Sequence, residues 1–187
     1  MIRGVVLCGG ESKRMGRDKG LLPLGTNNWA GRAFGKLEQL SIPVCLSVNP
    51  RQVPAYRQFF SSEQLIIDQT DASGPLKGLL SVHLKFPDDD LLLLACDMTE
   101  MDTNTLKTLK DSAAIFPGFD YYVYAQEDFI EPLCAIYTSI SLKRRYLEFE
   151  HGNLPGFSLY KLIKKGNYKT LPIKNLQSFN NHNTATI

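Results

Sequence analysis

Nowhere in the 187 residues is there an apolar run long enough to cross a bilayer; the longest, Leu91 to Cys96, falls far short of the roughly 20 residues that a spanning helix needs. The opening Met1-Ile2-Arg3-Gly4-Val5-Val6-Leu7 carries one positive charge, but glycines end its apolar stretch too early for a signal peptide. An excess of either charge is missing too. Against 21 Lys and Arg stand 19 Asp and Glu, so no global field attracts nucleic acid or a membrane surface, and an anionic ligand has to be met locally. Cysteine is scarce and scattered: Cys8, Cys45, Cys96 and Cys134 form no C-x-x-C pair and have no histidine at ligand spacing, which argues against structural zinc. Together these absences predict a reduced, soluble, cytoplasmic protein with no nucleic-acid or membrane partner. Repeats, low-complexity tracts and linkers are lacking as well. At 43% hydrophobic composition the chain is long enough for one well-buried core and short for two, which predicts a single domain over residues 1–187.

What is present alternates. Ile2 to Cys8 is a short apolar run closed by Gly9-Gly10 and reads as a buried strand. Trp29, Ala33, Leu37 and Leu40 recur at helical spacing, Pro43 to Val48 reads as a strand, Pro54 to Phe60 as a helix and Gln64 to Ile67 as a strand. After Gly74-Pro75 a helical pattern spans Leu76 to Leu84, Asp88-Asp89-Asp90 turns the chain, and Leu91 to Ala95 is a fully apolar strand ending at Cys96-Asp97. In the less regular second half, Tyr121 to Ala125, Leu133 to Tyr137 and Tyr168 to Ile173 read as strands, and Ser141 to Phe149 and Ser158 to Lys164 as helices. Such alternation predicts an α/β fold: a mostly parallel sheet, joined by right-handed crossovers and covered by helices on both faces.

The chemistry sits where strands end. Gly9-Gly10-Glu11-Ser12-Lys13-Arg14-Met15-Gly16-Arg17-Asp18-Lys19 follows the first strand, where an open parallel sheet places its ligand crevice. Two successive glycines let backbone N–H groups approach phosphate oxygens. Ser12 adds a hydroxyl, Lys13, Arg14 and Lys19 add positive charge, and Arg14 offers a two-pronged guanidinium where Lys19 is a point charge. Neither familiar glycine fingerprint is present: G-x-G-x-x-G is missing, and Gly16 precedes Arg17 where a P-loop needs lysine and then a hydroxyl residue. By its residues alone the segment fits either a phosphate cradle or a tight turn followed by solvated charges.

The string Leu7-Cys8-Gly9-Gly10-x-Ser12-x-Arg14-Met15-Gly16-x-Asp18-Lys19 resembles the signature L-A-G-G-x-S-x-R-M-G-x-D-K of the molybdenum cofactor guanylyltransferase family, with Cys8 in place of alanine. The resemblance implies a three-layer α/β/α, Rossmann-like nucleotidyltransferase fold of the nucleotide-diphospho-sugar transferase type, in which residues 1–100 bind the nucleotide and 101–187 the acceptor. It carries nucleotide binding over to Leu7, Cys8, Gly9, Gly10, Ser12 and Lys19, and catalytic roles to Arg14, Lys19 and Asp97. Asp68 followed by Gly74-Pro75-Leu76-Lys77-Gly78 is similar to the family's aspartate and G-P-L-x-G-[ILM], which implies that Asp68, Gly74, Pro75 and Gly78 face guanosine. A carboxylate there can accept from guanine N1–H and N2 or from a ribose hydroxyl; a helix cap at Asp68 and a plain turn at Gly74-Pro75 are the alternatives. Cys96-Asp97-Met98 matches the family's C-D-M-P, whose aspartate binds magnesium, except that Thr99 replaces proline. Magnesium is satisfied by one or two carboxylates with phosphate oxygens and water, so Asp97 alone suffices; helix capping is its alternative role. Glu131-Pro132-Leu133-Cys134-Ala135-Ile136-Tyr137 is similar to P-[LT]-x-A-[LIV]-Y, with the role of Glu131 left open. Phe179-x-Asn181-x-Asn183-Thr184 resembles F-x-N-[IV]-N-T-P and places Asn181 and Asn183 at the acceptor side, with Ala185 in place of proline and a frayed polar tail as the alternative. His83 and His151 read as surface residues and Trp29 as core.

The reaction implied is in-line attack of the terminal phosphate of molybdopterin on the α-phosphorus of GTP, giving molybdopterin guanine dinucleotide and pyrophosphate. The nucleophile is already ionised, which agrees with the absence of a Ser-His-Asp or Cys-His arrangement. GTP, molybdopterin and Mg2+ are the implied ligands, and proteins of cofactor biosynthesis or acceptor molybdoenzymes the implied partners. Two rivals remain: a cytidylyl- or sugar-phosphate nucleotidyltransferase of the same fold, and a non-catalytic GTP-binding homologue. In the cytidylyl group the loop resembles A-A-G, so Gly9-Gly10 favours GTP.

Overall fold

Described in the computed structural model are residues 1–9, 18–127 and 129–180. The chain runs β1 (Ile2–Leu7), a 3-10 turn (Lys19–Leu21), β2 (Pro23–Leu24), β3 (Asn27–Asn28), α1 (Trp29–Glu38), β4 (Val44–Val48), α2 (Val53–Tyr56) and β5 (Leu65–Ile67). It continues through α3 (Pro75–Lys85), β6 (Asp90–Ala95), α4 (Thr103–Ile115), β7 (Tyr121–Gln126), β8 (Phe129–Tyr137), α5 (Ser139–Glu150), α6 (Leu159–Lys165), β9 (Tyr168–Pro172) and a second 3-10 turn (Leu176–Phe179).

Seven strands form one sheet in the order β5-β4-β1-β6-β8-β7-β9, and β2 and β3 pair apart from it. The first-half strands are all parallel; β8 runs antiparallel to both β6 and β7, and β9 returns parallel to β7. The leucine run explains why β6 lies inside. Leu92 and Leu94 join the apolar layer built with α1, α2 and α4, while Leu91 and Leu93 join the layer built with α3, α5 and α6. All four are fully buried, each contributing about 1.5–3 kcal/mol. A strand apolar on both faces is stable only between two helical layers, so the three-layer α/β/α fold follows from that run.

The structure departs from the sequence expectations in four places. α2 stops at Tyr56 instead of reaching Phe60. β8 begins at Phe129 rather than Leu133: a bulge lets Val123 pair with Ala135 while the next residue, Tyr124, pairs with Glu131, and this absorbs Pro132, which has no N–H to give a ladder. α4 was not anticipated, because Thr103, Asn104, Thr105 and Thr108 are weak helix formers; it is held by its Asp102 cap and by Leu106 and Leu109, both fully buried. His83 is only 4% exposed and belongs to the interior, not the surface.

Candidate active site

β1 and β6 are parallel neighbours, with Leu7 level with Ala95. The Cys96 N–H donates to the Leu7 carbonyl (3.2 Å) and the Cys8 N–H to the Ser47 carbonyl (3.0 Å), so the residues after β1, β4 and β6 leave the sheet together at its C-terminal edge. There Lys19 Nζ lies 3.9 Å from Asp97 Oδ2, the two side chains 25% and 18% exposed. Asp97 does not cap the next helix; that task falls to Asp102, which accepts from the Thr105 N–H (2.7 Å). The start of the glycine-rich segment and the acidic strand end are therefore adjacent.

On the other side of β1 lies a cavity of about 770 Å³, lined by Gly9, by Asn49, Pro50 and Arg51 after β4, by Asp68 after β5, and by Ala72 to Pro75 and Lys77 where α3 begins. Its volume suits a small molecule the size of a nucleoside. Gly74 has φ +63°, a conformation glycine adopts without strain, and this turns the chain into Pro75 at the first position of α3. Ser47 Oγ donates to Asp68 Oδ1 (2.7 Å), and a Cβ on Gly9 would stand 2.9 Å from Asp68 Oδ2, so that oxygen faces the loop. Burial pushes the Asp68 carboxyl above its ordinary value, against the pull of the Ser47 hydroxyl and the Lys77 charge.

Of the expected residues, Gly9, Asp68, Gly74 and Pro75 share this cavity, and Lys19 and Asp97 meet beside it. Leu7 and Cys8 bring only their backbone to the edge, since both side chains are buried in the core. Burial, reinforced by the neighbouring Cys96, pushes the Cys8 thiol well up, so it is no nucleophile. Gly78 does not line the cavity: a Cβ there would overlap Ser47 Oγ and approach Leu7 Cδ1 to 2.6 Å, which gives it a packing role behind Asp68. Gly10, Ser12, Arg14, Asn181 and Asn183 lie outside the described residues. Sequence reading passed over Asn49, Arg51 and Lys77. Their position just after β4 or in the first turn of α3, at the same sheet edge, was the available signal.

The loop after β6 is held through main chain. Lys36 Nζ (2.6 Å) and Arg32 Nε (3.2 Å) both donate to the Thr99 carbonyl, a group that proline would also supply, so the threonine leaves this clamp intact. Burial, aided by the Arg32 charge, lowers the Lys36 ammonium to about 8. Across the sheet, Leu94 pairs with Cys134, and extending that antiparallel register brings Glu131 level with Asp97. Glu131 is 3% exposed and accepts from the Leu133 N–H (2.8 Å). Burial raises its carboxyl; that bond opposes the rise and the Asp97 charge adds to it. Among the described residues no three His, Cys, Asp or Glu side chains gather as a metal-binding group.

The chain's last described turn is tied to the same side. Ser178 Oγ (2.6 Å) and Asn175 Nδ2 (3.1 Å) donate to Asp102 Oδ2, and the Phe179 ring packs edge-on against Tyr124 at 5.1 Å. Although burial alone would raise the Asp102 carboxyl, donation from Ser178, Thr105 and Asn175 draws it down to about 2.

Residues 4–164 match the family described as MobA-like NTP transferase domain. A molybdenum cofactor biosynthesis bifunctional protein of Synechocystis is 30% identical over 143 residues, which cover 75% of this chain but only 40% of that protein. A probable molybdenum cofactor guanylyltransferase of Carboxydothermus hydrogenoformans is 26% identical over 179 residues, 92% of this chain and 84% of that one. Among solved structures, molybdopterin-guanine dinucleotide biosynthesis protein A from Archaeoglobus fulgidus superposes with a TM-score of 0.78 at 20% identity, over 98% of this chain and 93% of that chain.

Proposed function

Because the chain belongs to the family of MobA-like NTP transferase domains, we propose that it is a guanylyltransferase, moving GMP from GTP to the terminal phosphate of molybdopterin and releasing pyrophosphate. The observation that carries this reading is the meeting, at one sheet edge, of the Gly9–Asp68–Gly74 cavity and the Lys19–Asp97 pair. The cavity takes the guanosine. With Oδ1 held by Ser47, Asp68 Oδ2 accepts from guanine N–H groups or a ribose hydroxyl. Lys19 and the backbone at Gly9 steady the triphosphate, joined by Gly10, Ser12 and Arg14. Every one of the described residues in these roles falls between positions 9 and 97, which supports dividing the chain into a nucleotide half, 1–100, and an acceptor half, 101–187, with Asn181 and Asn183 serving the acceptor.

A divalent ion fits the site: Asp97 offers a half-buried carboxylate beside the place argued for the phosphates, and the rest of a magnesium shell is met by phosphate oxygens and water. Bound there, magnesium supplies charge neutralisation on the transferred and leaving phosphates. The acceptor phosphate is ionised at neutral pH, so the residues have to align and screen charge rather than remove a proton. We place the reaction in the cytoplasm, supported by four free cysteines and by the finding that none of the described helices is long and apolar enough to cross a membrane. The test is incubation of the protein with magnesium, GTP and molybdopterin, scored for the guanine dinucleotide and pyrophosphate. Preference for CTP would overturn the guanylyl assignment, and GTP binding without pyrophosphate release would make the protein a non-catalytic binder.

A further inference from the structure

One side chain touches both flanks of the phosphate-binding segment. Gln52 Nε2 donates to the Cys8 carbonyl (2.9 Å), just before the segment, and to Asp18 Oδ2 (2.7 Å), just after it. A carboxamide nitrogen has two hydrogens, and here both are used. Its Oε1 is occupied as well, accepting from the Asn49 N–H (2.8 Å), while the Gln52 N–H donates to Asn49 Oδ1 (3.1 Å). Every polar atom of the amide is thus engaged, and the side chain is anchored to a residue that lines the cavity. Asp18 is held further by the Tyr56 hydroxyl (3.1 Å) and caps the Lys19–Leu21 turn by accepting from the Gly20 N–H (2.9 Å), which places Lys19 next to Asp97.

We infer that Gln52 is a positioning residue for triphosphate binding: by bonding the Cys8 carbonyl and the Asp18 carboxylate at once, it fixes the separation of the two flanks of the segment 9–17 and so presets Gly9 and Lys19 for the phosphates. Freedom of the two flanks that would otherwise be lost when the nucleotide binds is removed on folding, and affinity rises by what binding no longer has to spend. The inference rests on the phosphate-binding reading of this edge but not on the choice of base. A glutamine that served only to stabilise the fold would lower the melting temperature and leave ligand affinity at a fixed, permissive temperature unchanged.

The probe is inorganic tripolyphosphate, which carries the phosphates without a base, with GMP as the control for the nucleoside cavity; binding is measured by calorimetry on the full chain. In Gln52→Leu, tripolyphosphate affinity falls roughly 5- to 30-fold, the effect of losing one or two hydrogen bonds' worth of order, and GMP affinity changes less than twofold. Gln52→Glu keeps the acceptor for Asn49 but sets an oxygen against the Asp18 carboxylate. Its deficit exceeds that of the leucine variant at pH 8 and shrinks toward wild type as the pH is lowered to 5.5, because a protonated carboxyl regains one donor. Wild-type tripolyphosphate affinity in both folded variants overturns the inference, as does an equal loss of GMP and tripolyphosphate or a glutamate deficit that does not respond to pH. A CTP-preferring protein that still shows the tripolyphosphate effect refutes the guanylyl reading and leaves this inference standing.

Discussion

Gly78→Ala sets two rules against each other. Gly78 lies inside α3, where alanine is favoured over glycine by about 1 kcal/mol, so helix propensity alone predicts a stabilised protein. Packing predicts the reverse. The added methyl would overlap Ser47 Oγ and stand 2.6 Å from Leu7 Cδ1 and 3.2 Å from Ser47 Cβ. Ser47 is fully buried and Leu7 is 7% exposed, so neither has free space to move into. Forcing a methyl into such a core costs about 1–3 kcal/mol. The cheapest escape for Ser47 is to rotate its hydroxyl, and that abandons the 2.7 Å bond to Asp68, a further cost of about 1.5 kcal/mol for a bond to a charged group. Packing therefore outweighs propensity, with a net loss of about 2 kcal/mol and a melting temperature lower by about 4–8 °C for a domain of this size. The same displacement frees Asp68 to turn away from the cavity, so GMP and GTP affinities fall while inorganic tripolyphosphate affinity holds. Differential scanning calorimetry and titration of the three ligands decide the matter. A melting temperature at or above wild type would show that α3 has room for the methyl. An unchanged GMP affinity would break the chain of reasoning from Gly78 through Ser47 to Asp68.

Asp97→Asn keeps the shape of a partly buried side chain and removes its charge, so pyrophosphate release should drop by at least about a hundredfold, the scale expected for a lost electrostatic group, with the melting temperature within about 2 °C; substantial residual turnover would dismiss the metal assignment. Asp102→Ala removes the cap of α4 and the anchor of the last 3-10 turn, so stability should fall by about 1–2 kcal/mol and the acceptor KM should rise while GTP affinity is kept; equal loss for both substrates would contradict the division into halves. His83 is buried, its Nδ1 has no partner among the described residues, and burial lowers its pKa from the ordinary 6.5. Because the native state disfavours the imidazolium, its contribution is intact above pH 6.5 and is lost as the pH falls below it, by at most about 1.4 kcal/mol per pH unit; chemical denaturation of His83→Leu between pH 7 and 5 should show that part of the slope gone, and an unchanged slope would assign it elsewhere.

How much of this was legible in the sequence depended on the range of the physics involved. β1, β6 and α1 could be read because their signal is local: an apolar run, or Trp29, Ala33 and Leu37 at helical spacing, fixes the element and its buried side together. Asp68 and Asp97 could be singled out as candidates because each carboxylate stands just past an apolar strand and matches a motif of the family that the chain resembles. α4 was lost because its helix-forming weakness is local while its support, the packing of Leu106 and Leu109, is tertiary. The packing role of Gly78 was hidden for a similar reason: its glycine accommodates the close approach of Ser47, 31 positions away in sequence.

Gln52 marks the far end of that scale. An amide has no charge, no periodicity and no fingerprint, and its two acceptors lie 44 and 34 positions upstream. What makes it informative is that each of its hydrogens and its oxygen has a partner, and that those partners belong to three segments, two of which flank the residues argued to meet the phosphates. Glycine loops can be exchanged between proteins as strings, but the separation of their two ends is set from outside the string. Transplanting residues 7 to 19 without Gln52, Asn49 and Tyr56 would therefore carry over the residue types of a phosphate cradle and not its spacing, and a graft of that kind should bind tripolyphosphate far more weakly than one that also includes the three supporting side chains.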